Sequence, residues 1–242
     1  MKKILFAIAL AVVATACHTG EGNTVEMGYL AINGTTRSEV SAEEGKFILA
    51  DAPTAEELKV EIVGNGKTYT WETLTAFQSA LSEGLRFVSA PYTVTLTYGE
   101  QGAEGWSKPY FEGSAVVEVP MYNLTAEANI EVTLRNSILA IETTDRFNGY
   151  FPTSSFKVKS FAWESAKGES LYLNAGEVKI TCEAVRQTGK EITLESTITL
   201  KPTTRHTAVF DLSTAGSANV NLIFDGEIVE VKEQEFELNE NS

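Results

Sequence analysis

The chain has 242 residues, 43% hydrophobic and 21% charged, with 33 acidic residues against 19 basic ones and a formal net charge of −14. That length can bury a sizeable core and suits one large or two small domains, and the even spread of Val, Ile, Leu and Phe argues against a disordered chain. Nucleic acid is an unfit partner, because phosphate binding needs clustered Lys and Arg and the sequence has no such cluster.

At the N-terminus, Lys2 and Lys3 precede an apolar run from Ile4 to Ala16. That run is too short for the roughly twenty residues that span a bilayer and suits the h-region of a secretory signal over residues 1–16. Ala14-Thr15-Ala16-Cys17 brings small residues directly up to a cysteine, as in the lipobox of bacterial lipoproteins, with Ala14 where the strict pattern has Leu. On this reading Cys17 is the lipidation site, residues 17–25 are a polar tether, and the chain is an outer-membrane lipoprotein on the periplasmic or cell-surface face. The alternative is an ordinary signal cut after Ala16 that leaves Cys17 a free thiol. With Cys17 acylated, Cys182 has no disulfide partner. Its phase in Val178–Ala184 predicts a buried, inert thiol.

From Tyr29 to about Leu238, alternation of apolar and polar residues dominates. Tyr92, Val94, Leu96 and Tyr98 share one face and Thr93, Thr95 and Thr97 the other; residues 178–184, 197–200, 207–210 and 219–224 repeat the pattern. Such runs predict half-buried antiparallel strands. Turn residues punctuate them at Gly64-Asn65-Gly66, Gly99–Gly105, Asn148-Gly149, Asn174-Ala175-Gly176 and Asp225-Gly226. Only Thr73–Glu83 changes period. Leu74, Phe77 and Leu81 have helical spacing there, closed by Gly84, which predicts a short helix lying as a lid over a sandwich edge. About fourteen strands exceed one seven-strand sandwich. The expected fold is therefore all-β: two tandem Greek-key β-sandwich domains with one short helix, over residues 26–135 and 136–242. The run 228–238 reads either as a donor strand or as a last edge strand blunted by Glu and Lys.

Several motifs together suggest a family. In order they are Met27-Gly28-Tyr29-Leu30-Ala31-Ile32, Thr36-Arg37, Leu58–Ile62, Gly66–Tyr69, Ala90–Val94, Lys108-Pro109-Tyr110-Phe111-Glu112-Gly113 and Val132–Ser137. This order resembles a Bacteroidetes lipoprotein family (DUF4493), itself similar to fimbrillin-like subunits and anchors of type V pili. The segment 85–92 departs from the family in lacking a Gly-Tyr pair. The resemblance implies transthyretin-like sandwiches and assembly by strand exchange, in which a protease cuts after an Arg behind the first strand and another subunit's strand fills the groove. Arg37 is the matching position for proteolytic processing. An exposed turn residue is the commoner role for an arginine in a polar loop.

Catalytic chemistry is poorly supplied. His206 is the one histidine outside the tether and reads as a solvated turn residue at a strand start. The sequence offers no nucleophile elbow, Cys-x-x-Cys pair, EF-hand loop or phosphate loop, so no catalytic residue, metal or cofactor is expected. Paired carboxylates such as Glu56-Glu57 have no diagnostic value among so many acids. The aromatics Trp71, Trp106, Trp163, Tyr110, Phe111, Tyr150 and Phe151 offer a second reading, a surface glycan-binding lipoprotein. Trp106 sits in a Gly-rich loop and, with Tyr110, is the candidate glycan contact; core or edge packing is the usual role of such residues in sandwiches. The expected partners are the membrane through the N-terminal lipid, other pilus-like subunits by strand addition, or a polysaccharide.

Overall fold

The computed structural model describes residues 26–42, 45–163, 170–212, 217–224 and 227–235, the last two segments as backbone. The candidate lipidation site Cys17, the expected signal and tether, the expected turn Asp225-Gly226, and Phe236 and Leu238 lie outside them. The described residues form an all-β fold of two successive sandwiches.

In the first half, β1 (Met27–Thr36), β2 (Glu39–Ala42) and β3 (Gly45–Ile48) precede a 3-10 turn at Ala55–Glu57, then β4 (Lys59–Gly64) and β5 (Lys67–Trp71). The helix α1 (Leu74–Ser82) follows, then β6 (Phe87–Val88), β7 (Pro91–Tyr98), β8 (Gly105–Trp106), β9 (Phe111–Glu118) and β10 (Thr125–Leu134). The β4–β5 hairpin turns on Asn65 (φ +48°) and Gly66 (φ +68°), the left-handed pair that two-residue hairpins favour. One seven-stranded sheet runs β5-β4-β7-β9-β10-β1-β6. β9 and β10 pair only through Phe111–Glu112 and Thr133–Leu134, so the sheet turns at that corner. The apolar faces of β4, β7 and β9 then meet those of β1 and β10 in one core, with Leu30, Ile62, Leu96 and Val132 fully buried. α1 is capped by the Thr73 hydroxyl, which accepts from the Ala76 N–H at 3.1 Å. It buries Leu74 and Phe77 against that core, which makes it the expected lid.

The second half comprises β11 (Ser137–Thr143), α2 (Asp145–Tyr150), β12 (Thr153–Val158), β13 (Phe161–Ala162), β14 (Leu171–Leu173), β15 (Gly176–Val185), β16 (Glu191–Leu200), β17 (Arg205–Leu212), β18 (Ser217–Phe224) and β19 (Glu227–Glu235). Two sheets, β13-β12-β15-β16 and β19-β18-β17-β11-β14-β8, enclose a second core containing Phe147, Phe151, Ile180 and Phe210. β19 stands at a sheet end, the edge position.

The two halves repeat one topology. Reading β5-β4-β7-β9 with β10-β1-β6 against β13-β12-β15-β16 with β17-β11-β14, each strand has a counterpart in the same chain order. Both copies contain one parallel pair, β1 with β10 and β11 with β17. The expectation of antiparallel strands throughout is corrected there, since alternation reports which faces a strand has and not which neighbour it takes. The described strands number nineteen rather than about fourteen, because β2, β3, β6, β8, β13 and β14 are pairings of two to four residues, too short to show alternation. Asn148-Gly149, expected as a turn, lies inside α2, whose start is capped by the Thr144 hydroxyl accepting from the Phe147 N–H at 3.2 Å.

Hydrogen bonds lock the halves together. The side chain of Asn136, 3% exposed, accepts from the Tyr110 N–H at 3.0 Å and donates to the Lys108 carbonyl at 3.0 Å, while the main-chain carbonyl of Asn136 accepts from the Thr203 N–H at 3.0 Å. Tyr172 donates its hydroxyl to Asp51 at 2.6 Å, and the Arg205 guanidinium lies 4.9 Å from the Phe47 ring centroid. β8, from the first half, completes the sheet of the second by pairing with β14.

Candidate functional site

Two places hold the residues that the sequence singles out. The first is β1 and the bend after it. β1 lies parallel to β10 from Tyr29–Thr125 to Thr36–Val132, and its other edge pairs with β6 only at Met27 and Gly28. Leu30 and Ile32 point into the core and Asn33 faces out, where its amide donates to the Asn129 side chain at 3.0 Å. The strand ends poorly satisfied: the Thr36 hydroxyl is buried with no hydrogen-bond partner, a cost of about 1–3 kcal/mol for such a group. Arg37 follows, exposed, with its N–H donated to the Val132 carbonyl at 2.9 Å. The Lys46 ammonium, and then Arg37, hold the exposed Glu39 carboxyl below its usual range.

The second place is the loop from Gly99 to Tyr110. Gly99 has φ +82°, and a Cβ there would come 2.0 Å from the Pro109 carbonyl, so the loop closes only on glycine. Glu104 accepts from Lys159 Nζ at 2.6 Å and from the Asn174 N–H at 2.7 Å, which pins the loop to the second half. Trp106 is half-buried, its ring centroid 5.2 Å from that of Trp163. Tyr110 is 8% exposed and donates its hydroxyl to Glu112, which the Arg135 guanidinium approaches at 3.7 Å. Burial, then that carboxylate, pushes the Tyr110 phenol up to about 12. Beside the loop lies a cavity of about 430 Å³ walled by Glu57, Lys59, Tyr98, Glu100, Ser107 and Lys108. Arg37 follows β1 whereas the Trp106 loop joins β7 to β9, and among the described residues no catalytic constellation gathers around either.

Elsewhere, His206 is corrected from a solvated turn residue to a core one. It is 1% exposed, and its Nε2 accepts from the Lys201 N–H at 2.8 Å. Burial holds its pKa below the ordinary histidine value. Cys182 is fully buried as expected, its thiol pushed up to about 12 by desolvation. Trp71 packs edge-on against Phe77, their centroids 5.0 Å apart. Glu57 caps the 3-10 turn, accepting from the Thr54 N–H at 2.8 Å and its hydroxyl at 3.0 Å. Lysines scattered in the sequence do gather in space: Lys157, Lys159 and Lys179 line a concavity of about 500 Å³ over β12 and β15. Sequence reasoning missed Asn136, whose only signal is an amide between two strands with no Gly or Pro beside it. Among the described residues no group of three or more His, Cys, Asp or Glu is placed to hold a metal ion, and no helix is long and apolar enough to cross a membrane.

A family model described as a domain of unknown function (DUF4493) matches residues 26–240. No curated protein matches the chain. Among solved structures, a fimbrial assembly protein from Parabacteroides distasonis is 10% identical, with 86% of this chain and 98% of that one covered and a TM-score of 0.48. A candidate cell adhesion protein from Bacteroides eggerthii is 10% identical, covering 88% and 97%, at a TM-score of 0.41. A candidate polysaccharide-binding protein from Bacteroides thetaiotaomicron is 9% identical, covering 81% and 98%, at 0.42.

Proposed function

This chain belongs to the DUF4493 family, which its model matches over residues 26–240, and from that premise we propose that it is a non-enzymatic surface lipoprotein joining other subunits by strand addition, as a pilus-like component or anchor in adhesion. One observation carries the reading. β1 is a strand bounded by an exposed arginine, held by β10 along one edge and by two residues of β6 on the other. Its loss by cleavage after Arg37 strips the hydrogen-bonding edge of β10 from Thr125 to Val132 and leaves empty the places of Leu30 and Ile32. Such an apolar groove with unpaired backbone is what an incoming strand completes. The buried, unsatisfied Thr36 hydroxyl weakens β1 at the end next to the cleavage site.

Treatment of the purified lipoprotein with a trypsin-like protease, read by intact mass and unboiled gel electrophoresis, tests this. Trimming after Arg37 followed by a ladder of SDS-resistant oligomers is the expected result, with the Arg37→Ala chain uncut and monomeric. A wild-type chain that keeps β1 and stays monomeric sinks the strand-exchange reading.

A second reading, glycan binding, draws on the cavity beside the Trp106 loop. Tyr98 on its wall supplies a ring face, and two lysines and two carboxylates supply hydrogen bonds to hydroxyls. Tryptophan fluorescence from Trp106 would then respond to sugar. That response is lost in Trp106→Ala and weakened in Tyr98→Ala, and a flat titration across a polysaccharide panel removes the reading.

A further inference from the structure

We propose that the turn between β9 and β10 is a membrane-facing foot: Met121, Tyr122 and Leu124 rest in the interface of the bilayer that holds the N-terminal lipid. The proposal rests on the reading of Cys17 as the acylated residue.

Exposed apolar side chains are ordinarily scattered singly over a soluble surface. Here Met121 is 45% exposed, Tyr122 76% and Leu124 60%, so three large apolar residues stand out within four positions. The turn presenting them is firmly held. Tyr122 (φ +61°) and Asn123 (φ +58°) are successive left-handed residues, a conformation that disfavours a bulky aromatic and persists only when its surroundings impose it. The imposing contacts all come from the start of β1 and from the segment before β6. The Asn123 N–H donates to the Met27 carbonyl at 2.9 Å, the Tyr29 N–H donates to the Leu124 carbonyl at 2.9 Å, and Arg86 donates to the Asn123 side chain at 3.1 Å. At Gly28 a Cβ would sit 2.2 Å from the Pro120 carbonyl, so the bare backbone lets the strand press against the turn.

The turn is therefore fixed to the residues at which the tether joins the fold. Eight residues lie between Cys17 and Glu26, nine Cα-to-Cα steps in all. At full extension they reach about 30 Å, so the acyl anchor cannot lie far from the turn. A tyrosine with an apolar body and a polar tip suits the headgroup level, and Leu and Met suit the layer just beneath it. With a net charge of −14 the chain gains nothing from anionic lipid. No acidic residue lies between Pro120 and Leu124, so the contact is one of apolar burial.

The test uses the full lipoprotein carrying Tyr122→Cys or Leu124→Cys, with Ile48→Cys, on the β2–β3 hairpin and 69% exposed, as the reference. Each is labelled with an environment-sensitive NBD dye and reconstituted in phosphatidylcholine vesicles. Intact mass reports separately whether Cys17 is acylated. The expected result is a blue-shifted dye at 122 and 124, quenched by doxyl-labelled lipid, with iodide quenching several-fold weaker than at 48. Equal iodide access at all three positions in an acylated chain overturns the foot and leaves the lipoprotein reading standing. Shielding from iodide without doxyl quenching means a second copy covers the turn, and also overturns it. An unmodified Cys17 overturns the lipoprotein reading and the foot with it.

Discussion

Gly99 and His206 show how much single positions decide. At Gly99 a side chain meets both a forbidden φ and a backbone oxygen 2.0 Å away. Gly99→Ala should therefore cost at least about 2 kcal/mol, read as a lower midpoint in urea denaturation. His206 makes stability depend on pH, and the sign follows from its burial. In the folded chain its pKa is depressed, so the native state keeps the ring neutral while the unfolded chain takes up a proton near the ordinary value. Stability is thus full above about pH 6.5, falls as acid takes the pH through the gap between the unfolded and folded values, and flattens below it. The slope is bounded by one proton, about 1.4 kcal/mol per pH unit. Chemical denaturation between pH 7.5 and 5 (the window in which few other groups titrate) should show this loss in wild type and a flatter profile in His206→Gln, which keeps a side-chain acceptor for the Lys201 N–H.

At the scale of elements, the junction is the vulnerable part. Asn136 satisfies the Tyr110 N–H and the Lys108 carbonyl with one amide, and Asn136→Ala leaves both groups unpaired in a buried place. The expected cost is about 2–4 kcal/mol. A single calorimetric transition should broaden or split, because the loop carrying β8 is held by the same contacts; an unchanged melting profile would show that Tyr172 and Arg205 suffice to couple the halves. This scale also shows what the sequence could and could not disclose. β7, β15 and the helix α1 were legible because their residues alternate or recur with a clear period over seven or more positions. The parallel partners of β1 and β11 were not, since period two says which face is buried and nothing about which strand lies alongside. His206 misled because a polar residue at a strand start reads as solvated, whereas its neighbours Thr207 and Ala208 are buried with it. Of the candidate site, the exposure of Arg37 and the end of a strand just before it were readable. The cavity beside Trp106 was not, because one wall comes from Glu57 and Lys59 and the other from Tyr98 and the loop after it, about forty residues away in the chain.

For the whole molecule, charge bears on the strand-exchange assembly proposed above. Chains with a net charge of −14 repel one another, and the repulsion is screened within about 10 Å at 0.1 M salt. Ladder formation after cleavage at Arg37 should accordingly speed up between low and moderate ionic strength, as gel densitometry over time would show; a rate that falls with salt would mean that attraction between opposite charges drives the joining. The repeated topology adds something that charge does not. In the second copy β17 carries β18 along six residues, on the side away from β11, with β19 beyond it. In the first copy β10 meets β9 over two residues only on the corresponding side. The second copy thus has a finished sheet margin where the first has a sparse corner, although both follow the same plan of strands. A row built by joining such units head to tail has a direction: its two tips are chemically different, and it can grow or be capped at one of them without the other.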